Sequence, residues 1–422
     1  MHTTYKISII AVLWLIGCFA NAQTRIIEWY KNIEDKKTIT VLPSSSSILS
    51  FYILTDKTFI FHPQTGAEIG TKIGFLNAMD NDMVYEIKFR PRYSFKKRAF
   101  QPILSISTYK NSWRTFVSAG RDITDYNEMN TVSFWPNTTS ALLAHRNHKS
   151  LYDRRFIDIN ICRETKNDAF LTLSLEYYEA KALKQVSDFS ILYPKRRYKL
   201  IEPNCHRYLP TDSVNRYKNQ ANVKFSFSKY DLWEKNISVD VSFKQGLDVT
   251  NQSGAFSQVT AEISQIIGGA MNGNFLDVAF FLETNHFFAW SCSLGYMKCY
   301  NDNVKFSDWM HQKSADRVFA ESNEYGFVGF LTYSPYEMST NKWFASGDLR
   351  LQYPLILTHS TLALLGFTEE LYLRHACING SDNYSEFGYS LVNYGMIRYG
   401  VFVSLHNLDY QGVGFRLGVD IK

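Results

Sequence analysis

The sequence predicts an all-β chain, a transmembrane antiparallel β-barrel of about 14–18 strands. Three observations carry that expectation. Apolar residues alternate with glycine, polar and charged residues over segments of about nine to eleven residues, longer than the usual strand of about five or six. Aromatic residues make up 16% of the chain (Tyr 27, Phe 31, Trp 8) against only 10 Pro, which suits β-sheets and the aromatic girdles of membrane barrels. After the N-terminal segment, no window of about eighteen residues is continuously apolar, so a transmembrane helix is not expected.

The first element is a secretory signal over residues 1–22. Lys6 gives a positive start, Ile7 to Gly17 form a mostly apolar run, and Ala20-Asn21-Ala22 places the cut between Ala22 and Gln23. Leu15-Ile16-Gly17-Cys18 also fits the box read by lipoprotein signal peptidase, which would leave a lipidated Cys18. Residues 23–50 read as a lead segment, flexible around Pro43 and Ser44 to Ser47. Its place, in the periplasm or in a barrel lumen, stays open. The barrel is expected over residues 51–422.

Along that region, Val84 to Arg90 and Pro102 to Tyr109 read as a pair around a basic turn at Lys96. Ser140 to Tyr152 reads as a short helix or a loop. Ile157, Ile159 and Ile161 give a partial alternation, and Phe170 to Tyr178 a clear one, with Glu176 on the polar side. Val223 to Ser228, Ile237 to Lys244, Phe288 to Tyr296, Tyr325 to Tyr333 and Trp343 to Tyr353 repeat the theme. Tyr300 to Ser322 is a long polar connection. The last pair is the most regular. Ile397, Tyr399, Val401, Val403 and Leu405, then Val413, Phe415, Leu417, Val419 and Ile421, are expected to face lipid. Arg398, Arg416 and Asp420 are expected to face the lumen. About ten residues at ~3.3 Å each, tilted near 40°, cover the ~25 Å apolar belt of an outer membrane. On this facing Leu417→Arg should impair insertion and Gly414→Ser should be tolerated.

Chemistry is sparse. A formal charge of +5 is too diffuse to argue for nucleic acid, and Lys96-Lys97-Arg98 and Lys195-Arg196-Arg197 read as solvated turns. The cysteines show no metal-type spacing and no disulfide framework. There is no nucleophile elbow, zinc-protease helix or phosphate-binding glycine loop. His145 and His148 lie three apart without a nearby third ligand. Arg374-His375, near Glu369 and Glu370, suggests a hydrolase only if a nucleophile is held by an oriented histidine, and nothing marks one. The expectation is a non-enzyme with no cofactor.

Several short stretches resemble the barrel part of a Bacteroidetes-type outer-membrane family of unknown function, whose members are labelled carboxypeptidase-regulatory-like-domain-containing proteins. They are Phe61-His62-Pro63 with Gly66, Ala119-Gly120-Arg121-Asp122 with Tyr126-Asn127, His145 to Tyr152 followed by Leu171 to Tyr177, and the pair Arg398 to Leu405 and Gly412 to Val419. The chain departs from the family pattern at His62 and Gln64-Thr65, where an asparagine and an acidic residue are usual, and no stretch of it is expected to form the family's N-terminal immunoglobulin-like module. The resemblance implies an outer-membrane barrel and carries no settled activity.

The leading expectation is therefore an integral outer-membrane β-barrel of a Gram-negative cell, serving solute passage, surface assembly or partner docking. Its surroundings would be outer-membrane lipid and lipopolysaccharide, with barrel-assembly machinery acting during biogenesis. The alternatives are a barrel-embedded surface hydrolase using His375, and a secreted soluble β-sandwich or adhesin.

Overall fold

The computed structural model describes residues 47–52, 58–79, 83–125, 134–145, 147, 149, 151–165, 169–183, 187–192, 218–232, 237–250, 254–268, 287–302, 304, 308–312, 338–353, 367–380, 382–393 and 397–419. Their backbone is one antiparallel meander, β1 (Ser47–Tyr52), β2 (Phe59–His62), β3 (Gly66–Gly70), β4 (Lys72–Met79), β5 (Met83–Ser94), β6 (Ala99–Lys110), β7 (Trp113–Asp125), β8 (Leu151–Glu164), β9 (Ala169–Ala182), β10 (Lys218–Leu232), β11 (Ile237–Asp248), β12 (Phe256–Gly268) and β13 (Phe287–Cys299), continued by β16 (Trp343–Tyr353), β17 (Phe367–Ile378), β18 (Asp382–Asn393), β19 (Ile397–His406) and β20 (Asp409–Val419). A helix, α1 (Phe134–Ala144), lies between β7 and β8, and a two-stranded ribbon of β14 (Met310–His311) and β15 (Ser339–Thr340) lies between β13 and β16.

The main sheet holds eighteen strands. Two of them, β2 and β3, extend the lines of β1 and β4, so the wall has sixteen staves, each paired to the next in sequence. From β5 onward the staves run from 10 residues in β19 to 15 in β10. Among the described residues no ladder joins β20 to β1.

The two faces of this wall are the reverse of a soluble protein's. On β6, Gln101, Ile103, Ser105 and Ser107 are buried, whereas Phe100, Leu104 and Ile106 are exposed. On β9 the exposed side chains are Leu173, Leu175 and Tyr177, and on β13 they are Leu294 and Tyr296. A β-sandwich buries its apolar faces against each other; here they are turned out and the polar face is enclosed. Aromatics mark both ends of the outer face. Tyr93, Tyr296, Trp343 and Tyr410 lie toward one rim, and Trp113, Tyr230 and Tyr399 toward the other. Arg163 sits 5.3 Å over the Trp113 ring and Arg114 5.7 Å over Phe170, the placement expected of cations that keep their heads at an interface.

The rims differ in their connections. One carries residues 126–150, 183–217 and 300–342 between staves; the other carries 80–82, 111–112, 165–168, 233–236 and 394–396, with longer connections at 269–286 and 354–366. At the long-loop rim the β2–β3 hairpin is capped by α1. The Phe61 amide donates to Thr138 Oγ1 at 3.0 Å, Asn137 Nδ2 donates to His62 Nδ1 at 2.9 Å, and Phe61 packs on Ala141.

The expected pair around Lys96 is β5–β6, with its turn at 95–98. The segment Ser140 to Tyr152 is divided differently: the helix begins at Phe134, with Pro136 in its first turn where a missing amide costs nothing, and stops at His145, whose φ is +57°. β8 then takes up at Leu151. β1 already begins at Ser47, inside the stretch read as lead. The alternation at Tyr325 to Tyr333, the signal over 1–22 with Ala22 and Gln23, and the residues Asp420 and Ile421 lie outside the described residues.

Candidate functional site

The enclosed face is the site. It is built from alternate residues of the staves, so its chemistry is organised in rows across the sheet rather than along the sequence. On the late wall one row runs Gln352, Glu370, Ser390, Gly400, Arg416 across β16 to β20; the next inward-facing row runs Arg350, Tyr372, Gly388, Phe402, Gly414; a third runs Asp348, Arg374, Glu386, Ser404, Gly412.

These rows form a buried ion network. Arg350 grips Glu370 through Nε at 2.7 Å and Nη2 at 2.6 Å. Arg374 Nε lies 3.0 Å from Asp348 and its Nη1 3.5 Å from Glu386, which also accepts from the Tyr372 hydroxyl at 3.2 Å. Gln352 donates to Thr368 Oγ1 at 2.7 Å. Breaking one partner of such a pair costs about 3–5 kcal/mol, because the other charge is left buried. The network ties the register of the late staves to one another.

Glycine and aromatic residues alternate across the same wall. A Cβ on Gly388 would meet the Tyr372 ring at 2.3 Å, and one on Gly414 would meet Phe402 at 2.2 Å. Gly295 stands likewise under Phe344, and Gly246 under Phe256. Each aromatic lies flat over the glycine directly opposite it in the neighbouring stave. The expectation that Gly414→Ser would be tolerated is therefore corrected: position 414 does face inward, yet its space is filled by a buried ring.

The early wall carries its own pairs. Arg92 reaches Glu68 at 3.7 Å and Asp122 at 3.6 Å. Arg154 pairs with Glu176, which also accepts from Asn222 at 2.8 Å. Glu176 is thus on the inner face.

The connection between β13 and β16 enters the enclosure just inside the long-loop rim. Met310 and Met338 are buried against Phe256, Met297, Phe344 and Ile378, while Trp309 also touches the opposite cluster of Ile103, Tyr152, Phe156 and Tyr178. Trp309 therefore spans from one wall to the other. Gln258 Nε2 donates to the Asp308 carbonyl, and His311 Nδ1 lies 2.7 Å from Ser339 Oγ, which holds the ribbon closed. Beneath this connection lies a cavity of about 380 Å³ lined by the connection itself, β10 to β13 and β16, with Lys224, Lys244, Asp240, Glu262, Ser242 and Asp348 among its walls.

His62 lies beyond the staves, level with the β5–β6 turn, where Gly66 meets Lys96. Burial, then the charges of Lys149 and Arg92, push its pKa down to about 3, so it is held as a neutral acceptor for Asn137.

Of the residues expected to face out, Tyr399, Val401, Val413 and Phe415 are exposed, and Val403 and Leu405 are half-buried. Arg416, expected to face in, is buried. Ile397, Arg398, Leu417 and Val419 sit in the β19–β20 ladder, with Ile397 opposite Val419 and Tyr399 opposite Leu417. Arg374 and His375 point to opposite faces: Arg374 is in the ion network, and His375 is exposed, its Nδ1 2.9 Å from Ser385 Oγ. Glu370 faces in with Arg374. Among the described residues no three His, Cys, Asp or Glu side chains converge as a metal site, and Cys162, Cys292, Cys299 and Cys377 are free thiols.

Solved structures with similar shape include BamA from Haemophilus ducreyi lacking POTRA domains 1–3 (TM-score 0.43, 11% identity, 88% of this chain and 69% of that one). CdiB from Acinetobacter baumannii matches with a TM-score of 0.37 and 11% identity over 89% of this chain and 60% of its own length. A mutant porin of Rh. blastica matches with a TM-score of 0.32 and 10% identity over 83% and 88%. No curated protein matches the sequence. The model of the C-terminal domain of the family of unknown function DUF5686 matches residues 40–391, and the chain belongs to that family.

Proposed function

We propose that the chain is an integral outer-membrane β-barrel of a Gram-negative cell whose lumen is a restricted, polar conduit for small solutes. The observation that carries this reading is the inside-out wall: exposed apolar side chains on one face, a buried ion network and a polar cavity on the other. Water cannot be the solvent for the first face without a large exposed apolar patch, and a lipid annulus removes that difficulty.

In this reading Ile397, Tyr399, Val401, Val403, Leu405, Val413, Phe415, Leu417, Val419 and Ile421 meet lipid, including lipopolysaccharide, while Arg398, Arg416 and Asp420 line the lumen. The short-turn rim faces the periplasm and the long-loop rim the exterior, as in bacterial barrels. Export uses the signal ending at Ala22, and assembly machinery inserts the chain. The relation to Bacteroidetes-type proteins belongs to the same reading and rests on His145 to Tyr152. Catalysis, cofactors and nucleic acid have no part in it.

The test is heat-modifiable gel migration of the membrane fraction, followed by conductance in planar bilayers. Faster migration unboiled than boiled, with ion-conducting steps, is the expected result. A soluble protein without a heat shift returns the sandwich reading. A heat-modifiable barrel that never conducts replaces solute passage with assembly or docking. Hydrolysis of lipid or peptide that is lost in His375→Ala returns the surface hydrolase.

A further inference from the structure

Among the described residues of the late wall, the Arg416 guanidinium finds no hydrogen-bond acceptor. Its side chain is only 3% exposed, and Nε, Nη1 and Nη2 make no hydrogen bond to the described residues. Glu370 lies within electrostatic reach but is held twice by Arg350. Glu386 is taken by Tyr372 and Arg374, and Asp348 by Arg374 and Ser291. A buried cation without hydrogen-bond acceptors is unfavourable unless something supplies them.

A second unfilled group stands in the same row. Ser390 is 1% exposed, and its Oγ too has no hydrogen-bond partner among the described residues. Arg416 and Ser390 flank Gly400, which pairs with both. A Cβ at Gly400 would sit 2.2 Å from Ser390 Oγ, so glycine is what admits the serine hydroxyl at that point of the row. Two strand spacings of ~4.8 Å separate the flanking Cα atoms, a gap that a long guanidinium side chain reaches across.

We propose that Arg416 and Ser390 form an oxyanion site over Gly400, which takes the carboxylate or phosphate group of a small soluble solute. The planar fork of arginine matches both groups through paired N–H donors, and the serine hydroxyl supplies one more. Arg350, Arg374 and Arg416 face Asp348, Glu370 and Glu386, so these six side chains carry no net charge. That balance favours a singly charged oxyanion over a polyanion. The site lies toward the short-turn rim, on the far side of Trp309 from the long-loop mouth. It rests on the barrel reading of the inner face.

The experiment uses the full chain in detergent, with the temperature at which the compact, heat-modifiable band is lost as readout. Sodium phosphate and sodium acetate are titrated against chloride at constant ionic strength. The expected result is a saturable rise of that temperature with phosphate, acetate or both, whichever responds identifying the group. Half-saturation should weaken on the order of tenfold or more in Arg416→Gln, and also in Arg416→Lys, which keeps charge but loses the fork, and by less in Ser390→Ala. If Arg416→Gln does not fold, Arg416→Lys and Ser390→Ala decide the matter. Phosphate and acetate acting as chloride does, or variants titrating like the wild type, overturns the site. Absence of a compact band in the wild type overturns the barrel instead.

Discussion

The pairing of Phe402 with Gly414 makes the sharpest prediction about the wall. The two residues are directly opposite in the β19–β20 ladder, Phe402 is 2% exposed, and a Cβ on Gly414 would lie 2.2 Å from the ring's Cζ and 2.7 Å from both Cε atoms. Gly414→Ala therefore forces the ring to tilt or leave. Overpacking of this kind costs about 1–3 kcal/mol, and full expulsion approaches the ~3–5 kcal/mol of deleting a buried Phe. In a Phe402→Ala background the obstacle is gone. The same substitution then only restricts the unfolded chain, which is neutral or stabilising by about 0.4–1 kcal/mol. The sign of Gly414→Ala should thus reverse between the two backgrounds, with a coupling of about 2 kcal/mol or more. Urea titration of folding into phospholipid vesicles, read by the heat-modifiable band, measures all four corners of the cycle. Additivity within about 0.5 kcal/mol would refute the claim that glycine is present here to receive the ring.

Phe415 is 76% exposed at mid-strand, so Phe415→Arg should cost about 2–4 kcal/mol in the same titration, while Tyr410→Arg, at the rim, should cost about 0–1 kcal/mol; equal costs would contradict a lipid-facing band. Trp309→Ala should raise single-channel conductance, because that ring touches both walls; an unchanged conductance would place the restriction elsewhere. The α1 cap should loosen as pH falls from 6.5 toward 3, since the opened cap binds a proton on His62 that the closed cap refuses. The loss is about 1.4 kcal/mol per pH unit, or about 2 kcal/mol at pH 5. Hydrogen exchange over α1 should show it, and His62→Gln should flatten the profile; identical profiles would remove His62 as its source.

The outer face of the wall was legible in the sequence because it obeys a local rule. Along Val413 to Val419 of β20, Leu171 to Tyr177 of β9 and Ile237 to Lys244 of β11, every second residue is apolar and its neighbours are small, polar or charged, so period two appears in a short window. β12, β17 and β18 escaped that reading, and the structure gives the reason for β12 and β17. Phe256 in β12, and Tyr372, Ala376 and Ile378 in β17, turn apolar groups inward, against the loop ribbon or over a glycine on the next stave. Both faces of such a strand then look apolar in places, and the alternation blurs. The helix was placed late for a related reason: Pro136 reads as a breaker unless it falls in a first turn. That α1 also has a partner in β2, across more than seventy residues, is not a periodic signal at all.

The inner face obeys a different logic, and for it a single sequence is nearly mute. Arg416 and Asp420 could be assigned to the lumen by parity, but parity says nothing of partners. Arg350 meets Glu370, and Arg374 meets both Asp348 and Glu386, only because the register sets those rows side by side. Shift one stave by two residues and the facing survives while the ion pairs that stave makes must change partners. The network therefore does what the apolar face cannot: hydrophobic alternation chooses which side is out, and the buried pairs choose the register. Arg416 stands outside that bargain. The carboxylate of its row, Glu370, is held by Arg350, so among the described residues register alone does not complete the guanidinium, and the proposed acceptor from the lumen would.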